Sequence, residues 1–332
     1  GFEGLKKVKL IDCIWHDTGR DDLYEKVRKN FSNEVVATKA NEAVFIENGK
    51  VIKYFADVDT AKRRINRTQH LNGTSPSIKY LNDNMFSYDY INGHLLSNLS
   101  DDKLLKTILP FYFENFTSEK FEKTDEFLSD CKEMYYNKTH NRIINSFAGT
   151  ELDKIQYING IKVHGILDLL KKVDWSSIYD KSIPSKFHGD FQPENILYDG
   201  RNFRLIDWRE SFGKSLIIGD FYYDLGKLYH AIIINGQIVL SKGYSYKIKK
   251  NVAFIDYNLK SNLVLLMNYF EQFCKEKKID WSNVQLLGIL QYIGICSLYK
   301  EFHDGEYGKF LFLLGKYMLA KTLSEDINEQ IN

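Results

Sequence analysis

The sequence is short of nearly everything that would mark a specialised environment. Its four cysteines, Cys13, Cys131, Cys274 and Cys296, stand far apart and form no CxxC pair. That spacing excludes a zinc ribbon and a disulfide framework, and it reads as isolated buried thiols in a reducing compartment. No apolar run reaches the roughly 20 residues that a membrane-spanning helix needs, and no signal peptide is recognisable, so membrane insertion is not expected. Charge of one sign is missing too: 45 basic against 44 acidic residues leave a formal net charge of +1. Such balance gives no general pull toward nucleic acid or an anionic membrane, and no acidic cleft for a polycation. Repeats, low-complexity tracts and flexible linkers are absent as well. A soluble, cytoplasmic protein is expected. The 332 residues are 44% hydrophobic, which is enough for one large domain or two lobes with a real core.

What is there is organised around one stretch, Phe187-His188-Gly189-Asp190-Phe191-Gln192-Pro193-Glu194-Asn195-Ile196-Leu197-Tyr198, with Leu205-Ile206-Asp207-Trp208 just beyond it. Asp199-Gly200 between two short apolar runs predicts a hairpin with a two-residue turn. The ends of a hairpin lie side by side, so Asn195 and Asp207 should converge, with Asp190 on the loop just before. Two oxygen ligands and a carboxylate at one point suit Mg²⁺ and a phosphate chain. The spacing is that of the kinase catalytic loop, His-x-Asp followed five residues on by Asn, with a metal-binding Asp after a hairpin.

Gly189 and Trp208 replace the Arg and the Phe-Gly of protein kinases. His-Gly-Asp and Ile-Asp-Trp instead resemble the aminoglycoside phosphotransferase and choline kinase family of small-molecule kinases. Gly219-Asp220-Phe221-Tyr222-Tyr223-Asp224-Leu225 resembles the Gly-Asp-x-x-x-Asp-Leu segment that follows the metal Asp in that family. Within it, the likeness is to phosphotransferases of bacterial capsule and lipopolysaccharide assembly. It extends over about residues 34 to 320, with the specific motifs between 187 and 228.

The resemblance implies an α+β, protein-kinase-like fold of two lobes. A small antiparallel-sheet lobe with a hinge would span 33–93, and a larger, mainly helical lobe would span 94–332. ATP, or another nucleoside triphosphate, would lie between them with Mg²⁺. Asp190 would accept the proton of an acceptor hydroxyl, Asn195 and Asp207 would hold the metal, and Lys53 would fix the phosphates. His188 would brace the loop, and Asp220 and Asp224 would anchor it or cap the next helix. Asp89-Tyr90-Ile91-Asn92-Gly93 is composed like the hinge, so the backbone at Asp89 and Ile91 would grip the base.

Residues before the hinge support that layout. Ala43–Glu47 and Lys50–Phe55 read as a hairpin turned by Asn48-Gly49, with Lys53 on the same face as Val51 and Phe55. A lysine among apolar neighbours is costly unless it meets an anion. Two further strands are expected at 78–81 and 85–90, giving about five in the small lobe. The helix expected over 60–71 carries no acid to pair with Lys53. Its basic residues, Lys62, Arg63, Arg64 and Arg67, are expected on a solvated face, with phosphate or a polyanionic partner as the alternative. Helices are also expected over 161–173, 285–299 and 309–323, and the chain after Asp224 reads as mostly helical.

At the other end, Trp15-x-Asp-x-Gly with Leu23-Tyr24 is similar to the closing segment of sugar-phosphate nucleotidyltransferases. Residues 1–32 therefore admit two readings: the tail of such a domain, fused or partnered, or a plain strand–turn–helix extension.

For the acceptor, a small molecule, the expected wall is Trp208, Arg209, Tyr222, Tyr223 and His303. Choline or ethanolamine would need an aromatic cage. Arg209 suits a sugar or an anionic sugar derivative better than choline or an aminoglycoside. A silent nucleotide-binding pseudokinase is the rival reading.

Overall fold

The computed structural model describes residues 41–300 and 302–331. Its small part is a four-stranded antiparallel sheet ordered β1-β2-β4-β3. Strands β1 (Glu42–Glu47) and β2 (Lys50–Phe55) are joined through Asn48 and Gly49 at φ 49° and 71°. Both angles are left-handed, as the tight hairpin turn expected of Asn-Gly requires. Alternation along β2 buries Val51, Lys53 and Phe55. Helix α1 (Val58–Arg67) follows, capped by Asp57, whose carboxylate accepts from the Asp59 and Thr60 amides. Strands β3 (Ile78–Asn82) and β4 (Met85–Asp89) complete the sheet. Four strands are present among the described residues, where about five were expected; residues 1–40, including the expected extension over 1–32, lie outside the described residues.

Beyond the connecting segment, β5 (His94–Leu95) leads into a larger body. Its helices begin with α2 (Asp102–Phe116), α3 (Asp125–Lys132) and α4 (Lys138–Ile144), the last two joined by a π-helical turn at Glu133–Asn137. Short strands β6 (Tyr157–Ile158) and β7 (Ile161–Lys162) precede α5 (Ile166–Lys172), α6 (Trp175–Lys181) and β8 (Pro184–Ser185). The helix expected from residue 161 thus starts only at Ile166, where the distant Asp153 carboxylate accepts the Ile166 amide at 2.8 Å. Next come β9 (Ile196–Tyr198), β10 (Phe203–Leu205), β11 (Gly219–Asp220), α7 (Phe221–Ile233) and α8 (Gly236–Leu240). Strand β9 pairs with both β10 and β5, which ties the connecting segment to the hairpin.

The stretch after Asp224 is less helical than expected. Strands β12 (Tyr244–Lys249) and β13 (Val252–Tyr257) join β6 and β7 in a sheet ordered β12-β13-β6-β7. Lysines at 247, 249 and 250 on the exposed side hide the alternation that buries Ala253 and Ile255. Helices α9 (Ser261–Lys277), α10 (Trp281–Ile295) and α11 (Glu306–Ile331) close the body. Among the described residues no helix is long and apolar enough to cross a membrane. The three described cysteines, Cys131, Cys274 and Cys296, are free and buried.

The core of the body is α7, buried from Phe221 to Ile232. It crosses α10 closely because Gly226 faces Gly288: a Cβ on Gly288 would stand 2.4 Å from the Tyr229 ring. That close crossing fixes Asp224 and Lys227 beside the Asp190 loop. Phe55, Phe86 and Trp208 stack at 5.6 and 5.9 Å between ring centres, carrying the core from the small sheet to the segment after β10. The expected arrangement, a small antiparallel sheet over a larger helical body, is the observed one.

Candidate active site

The hairpin forms, but its loop has four residues rather than two. The Asp199 carboxylate accepts the amides of Arg201 and Asn202 at 2.9 and 2.8 Å, so it closes the turn itself. The two ends still meet as expected: the Ile206 amide donates to the Asn195 carbonyl at 2.9 Å. Asp207 then takes φ 59°, a left-handed conformation uncommon outside glycine. Such angles persist where the surroundings over-determine them. Here the reversal directs the carboxylate back to the Lys53 ammonium, with which it forms an ion pair. Lys53 is 5% exposed, so a buried cation has found its anion outside α1, whose acid, Asp59, pairs with Arg63 instead.

Asn195 closes the other side. Its side-chain amide donates to the Asp190 carbonyl at 2.9 Å and to the Asp190 carboxylate at 3.0 Å. With the nitrogen so engaged, the amide oxygen is its available ligand atom. One amide oxygen and the Asp207 carboxylate fit a hard cation that takes its remaining ligands from phosphate and water. Among the described residues no cluster of three His, Cys, Asp or Glu side chains forms a self-sufficient metal site.

The loop carrying Asp190 is clamped from below. Asp224 accepts the His188 and Gly189 amides at 2.6 and 2.7 Å and the Tyr112 hydroxyl at 2.8 Å. Burial pushes its carboxyl up to about 6, so above that pH it is the carboxylate these donors require. Asp220, raised to about 6 by burial as well, caps α7 through the Tyr222 amide at 3.2 Å and accepts from Tyr135 at 2.6 Å. Both are anchors. His188 is fully buried, and burial drives its imidazole down to about 3. It stays neutral and accepts the Asp190 amide at 3.3 Å, a brace and not a proton carrier.

Gly189 has a steric reason. It sits at φ 89°, and a Cβ there would stand 2.5 Å from the Arg209 Cβ. The Arg209 amide donates to the His188 carbonyl at 3.0 Å, so the segment after Asp207 lies against the Asp190 loop only if residue 189 has no side chain.

The basic face of α1 is corrected in half: Lys62 and Arg63 are solvated as expected, but Arg64 and Arg67 are buried. Arg67 is fully buried rather than solvated, and its guanidinium lies 3.7 Å above the Phe187 ring. It donates to the carbonyls of Phe187, His188, Arg209 and Leu216. One small-lobe arginine thus ties both site segments together, and burial lowers its pKa to about 9. Arg64 is buried as well, paired with Glu42 at 3.3 Å and Glu210 at 3.6 Å.

Several expected wall residues lie elsewhere. Trp208 is 2% exposed and donates its indole N–H to the Arg64 carbonyl at 2.8 Å, so it is core. Tyr222 is buried, its hydroxyl accepting the Asp280 amide at 3.1 Å. His303 bonds the Tyr244 hydroxyl at 2.7 Å, beside β12. Tyr223 and Arg209 do face each other, with Arg209 Nη1 donating to the Tyr223 hydroxyl at 3.2 Å. The Asp89 side chain is exposed and holds Lys50 at 2.8 Å, while the Tyr90 amide donates to the Gly49 carbonyl and Ile91 is half-buried.

Two residues escaped the sequence reading. Arg67 bonds carbonyls, which leave no trace in a sequence. Lys227 puts its ammonium 3.2 Å from the Asp190 carboxylate. Its signal was available: it follows Asp224 by three residues on one helix, and so shares its face.

No family model and no curated protein matches the sequence. Solved structures do resemble the chain path. A choline kinase from Cryptosporidium parvum is 13% identical, covering 94% of each chain at a TM-score of 0.48. A putative fructosamine-3-kinase from Thermobifida fusca is 10% identical, covering 91% of this chain and 98% of its own at 0.47. A Plasmodium vivax ethanolamine kinase is 12% identical, covering 91% and 87% at 0.42. Likeness at this level says nothing of activity.

Proposed function

We propose that this chain is an ATP- and Mg²⁺-dependent phosphotransferase acting on a hydroxyl of a small molecule. The observation that carries the proposal is the meeting of two pairs, Lys53 with Asp207 and Asn195 with Asp190, whose segments are joined by the Ile206 amide on the Asn195 carbonyl. Bound Mg²⁺ would supply charge neutralisation to the phosphate chain, held by Asn195 and Asp207. Lys53 would exchange its carboxylate partner for phosphate oxygens, one anion for another. Asp190, oriented by Asn195 and Lys227, would accept the acceptor's proton. Positioning and charge are most of what phosphoryl transfer asks of a protein.

The acceptor class we favour is a sugar or sugar-like alcohol, used in a cytoplasmic route to surface polysaccharide and followed by nucleotide activation. Burial of Trp208 and Tyr222 removes the aromatic cage that choline would need. ADP release with Mg²⁺-ATP across a panel of small alcohols tests the proposal, with Asp190→Asn as the control that should lose turnover. A wild type that binds ATP but turns over none of them is a nucleotide-binding module, and the proposal falls.

A further inference from the structure

One group of basic side chains beside the site is only partly used by phosphoryl transfer: Lys227 orients Asp190, and the others have no role in it. Lys138 and Arg142, one turn apart on α4, share a face of that helix. Arg142 donates to the Gly294 carbonyl of α10 at 3.0 Å. Lys138 is half-buried, and its ammonium makes no hydrogen bond or ion pair among the described residues. Arg209 comes from the segment after Asp207: its Nη1 meets Tyr223, its Nη2 lies 3.6 Å from Glu210, and its Nε is buried without an acceptor among the described residues. Lys227 completes the group, 3.2 Å from Asp190 and 5.9 Å from the Tyr223 ring centre.

Tyr135, three residues before Lys138, lies 6.1 Å from the Tyr223 ring that Arg209 and Lys227 also approach, so the four side chains are neighbours. Burial pushes the Lys138 ammonium down to about 6, and Arg209, Arg142 and Lys227 add to that, with Glu210 opposing. That leaves Lys138 largely uncharged at neutral pH, so two carboxylates, Asp190 and Glu210, face three cations, Arg142, Arg209 and Lys227, and Glu210 is shared with Arg64 at 3.6 Å. A solvated face would screen such repulsion; this one is half-buried, and a buried excess of one sign calls for a counter-charge. The small-sheet cation, Lys53, has Asp207. The excess therefore sits on the helical-body side of Asp190, where the acceptor hydroxyl has to approach.

We infer that Lys138, Arg142, Arg209 and Lys227 form an acceptor subsite for an anionic group, so that the substrate is a hydroxyl compound already carrying a phosphate or a carboxylate. Its placement as an acceptor subsite rests on the phosphotransferase reading; anion binding itself does not. Guanidinium and ammonium groups take either anion through charge-assisted hydrogen bonds, and they repel a quaternary ammonium or an aminoglycoside.

Two measurements test it. Inorganic phosphate and acetate are titrated into the full chain, with and without a non-hydrolysable ATP analogue, for wild type, Lys138→Gln and Arg142→Gln. ADP release is then compared for glycerol, glycerol 3-phosphate and glycerate. At least one anion should bind, without competing with the analogue. Each variant should weaken it by about tenfold, the loss of one charge-assisted contact, while analogue affinity holds. The matching anionic alcohol should exceed glycerol in kcat/KM. No anion binding, unchanged binding in both variants, or competition with the analogue overturns the subsite. Turnover of glycerol without preference for the anionic alcohols overturns it too, with the kinase reading intact. Anion binding as expected, with ADP release from no alcohol in either panel, leaves the subsite standing and removes the kinase reading.

Discussion

The Lys227 ammonium stands 3.2 Å from the Asp190 carboxylate, brought there by α7 from beyond the hairpin. Burial alone would lower the Lys227 pKa, but Asp190 and Tyr223 beside it outweigh that and hold it above its ordinary value. The group proposed to take the acceptor's proton is therefore backed by a permanent cation. Lys227→Met should cut kcat/KM roughly a hundredfold, the scale of an acid–base contribution, with ATP affinity nearly unchanged. Without that cation the carboxylate is easier to protonate, so the acid limb of the rate profile should move to higher pH. A merely structural lysine would lower the rate at every pH alike and leave the limb in place.

Lys53 and Asp207 define the second prediction. Removing one partner of a buried pair leaves an uncompensated charge, which costs roughly 3–5 kcal/mol when burial is complete. Asp207 keeps a side-chain exposure of 32%, so Asp207→Asn should cost less than that in the absence of nucleotide. Mg²⁺-dependent turnover should vanish. Lys53→Met with Asp207→Asn should regain stability and stay inactive. Denaturant unfolding of the four proteins in the cycle measures the coupling, and additive effects would sink the pair.

Much of this site was legible because its signals are local. Strand alternation placed Lys53, Asn-Gly set its hairpin, and a second hairpin had to bring Asn195 and Asp207 together. What could not be read depends on partners far along the chain. Arg67 bonds backbone carbonyls that any residue type would offer. Trp208 and Tyr222 look like pocket aromatics until neighbouring elements bury them. Asp199 converted a two-residue turn to a longer one through side-chain hydrogen bonds that compete with the ladder, a contest the Asp-Gly signal does not reveal.

Gly189 offers a steric prediction. Alanine there meets the Arg209 Cβ at 2.5 Å and must hold φ 89°. Strain of this kind costs on the order of 1–3 kcal/mol, and relief requires the Arg209 segment to back away from the loop. Gly189→Ala should lose both stability and turnover. Gly200→Ala, at φ 93° with open space around it, should lose stability alone. If both variants kept full turnover, the close approach of the two segments would have no catalytic meaning.

His230 supplies the pH prediction, because it lies behind the site and takes no part in it. It is 5% exposed, and burial first, then Lys227, takes its imidazole down to about 3. In the unfolded chain it titrates near 6.5, so the unfolded state binds the proton first. Its contribution to stability is therefore complete above about pH 6.5 and is lost as the pH falls toward 3. Between pH 7.5 and 5.5 that loss should be about 1.4 kcal/mol. Asp220 and Asp224, raised to about 6, act in the opposite sense below that pH, but equally in wild type and variant. Urea unfolding of wild type and His230→Gln at the two pH values isolates the histidine. The variant should lose less stability on acidification by about that amount. Equal losses would mean that His230 is protonated in the folded state, which its place between α7 and α10 does not allow.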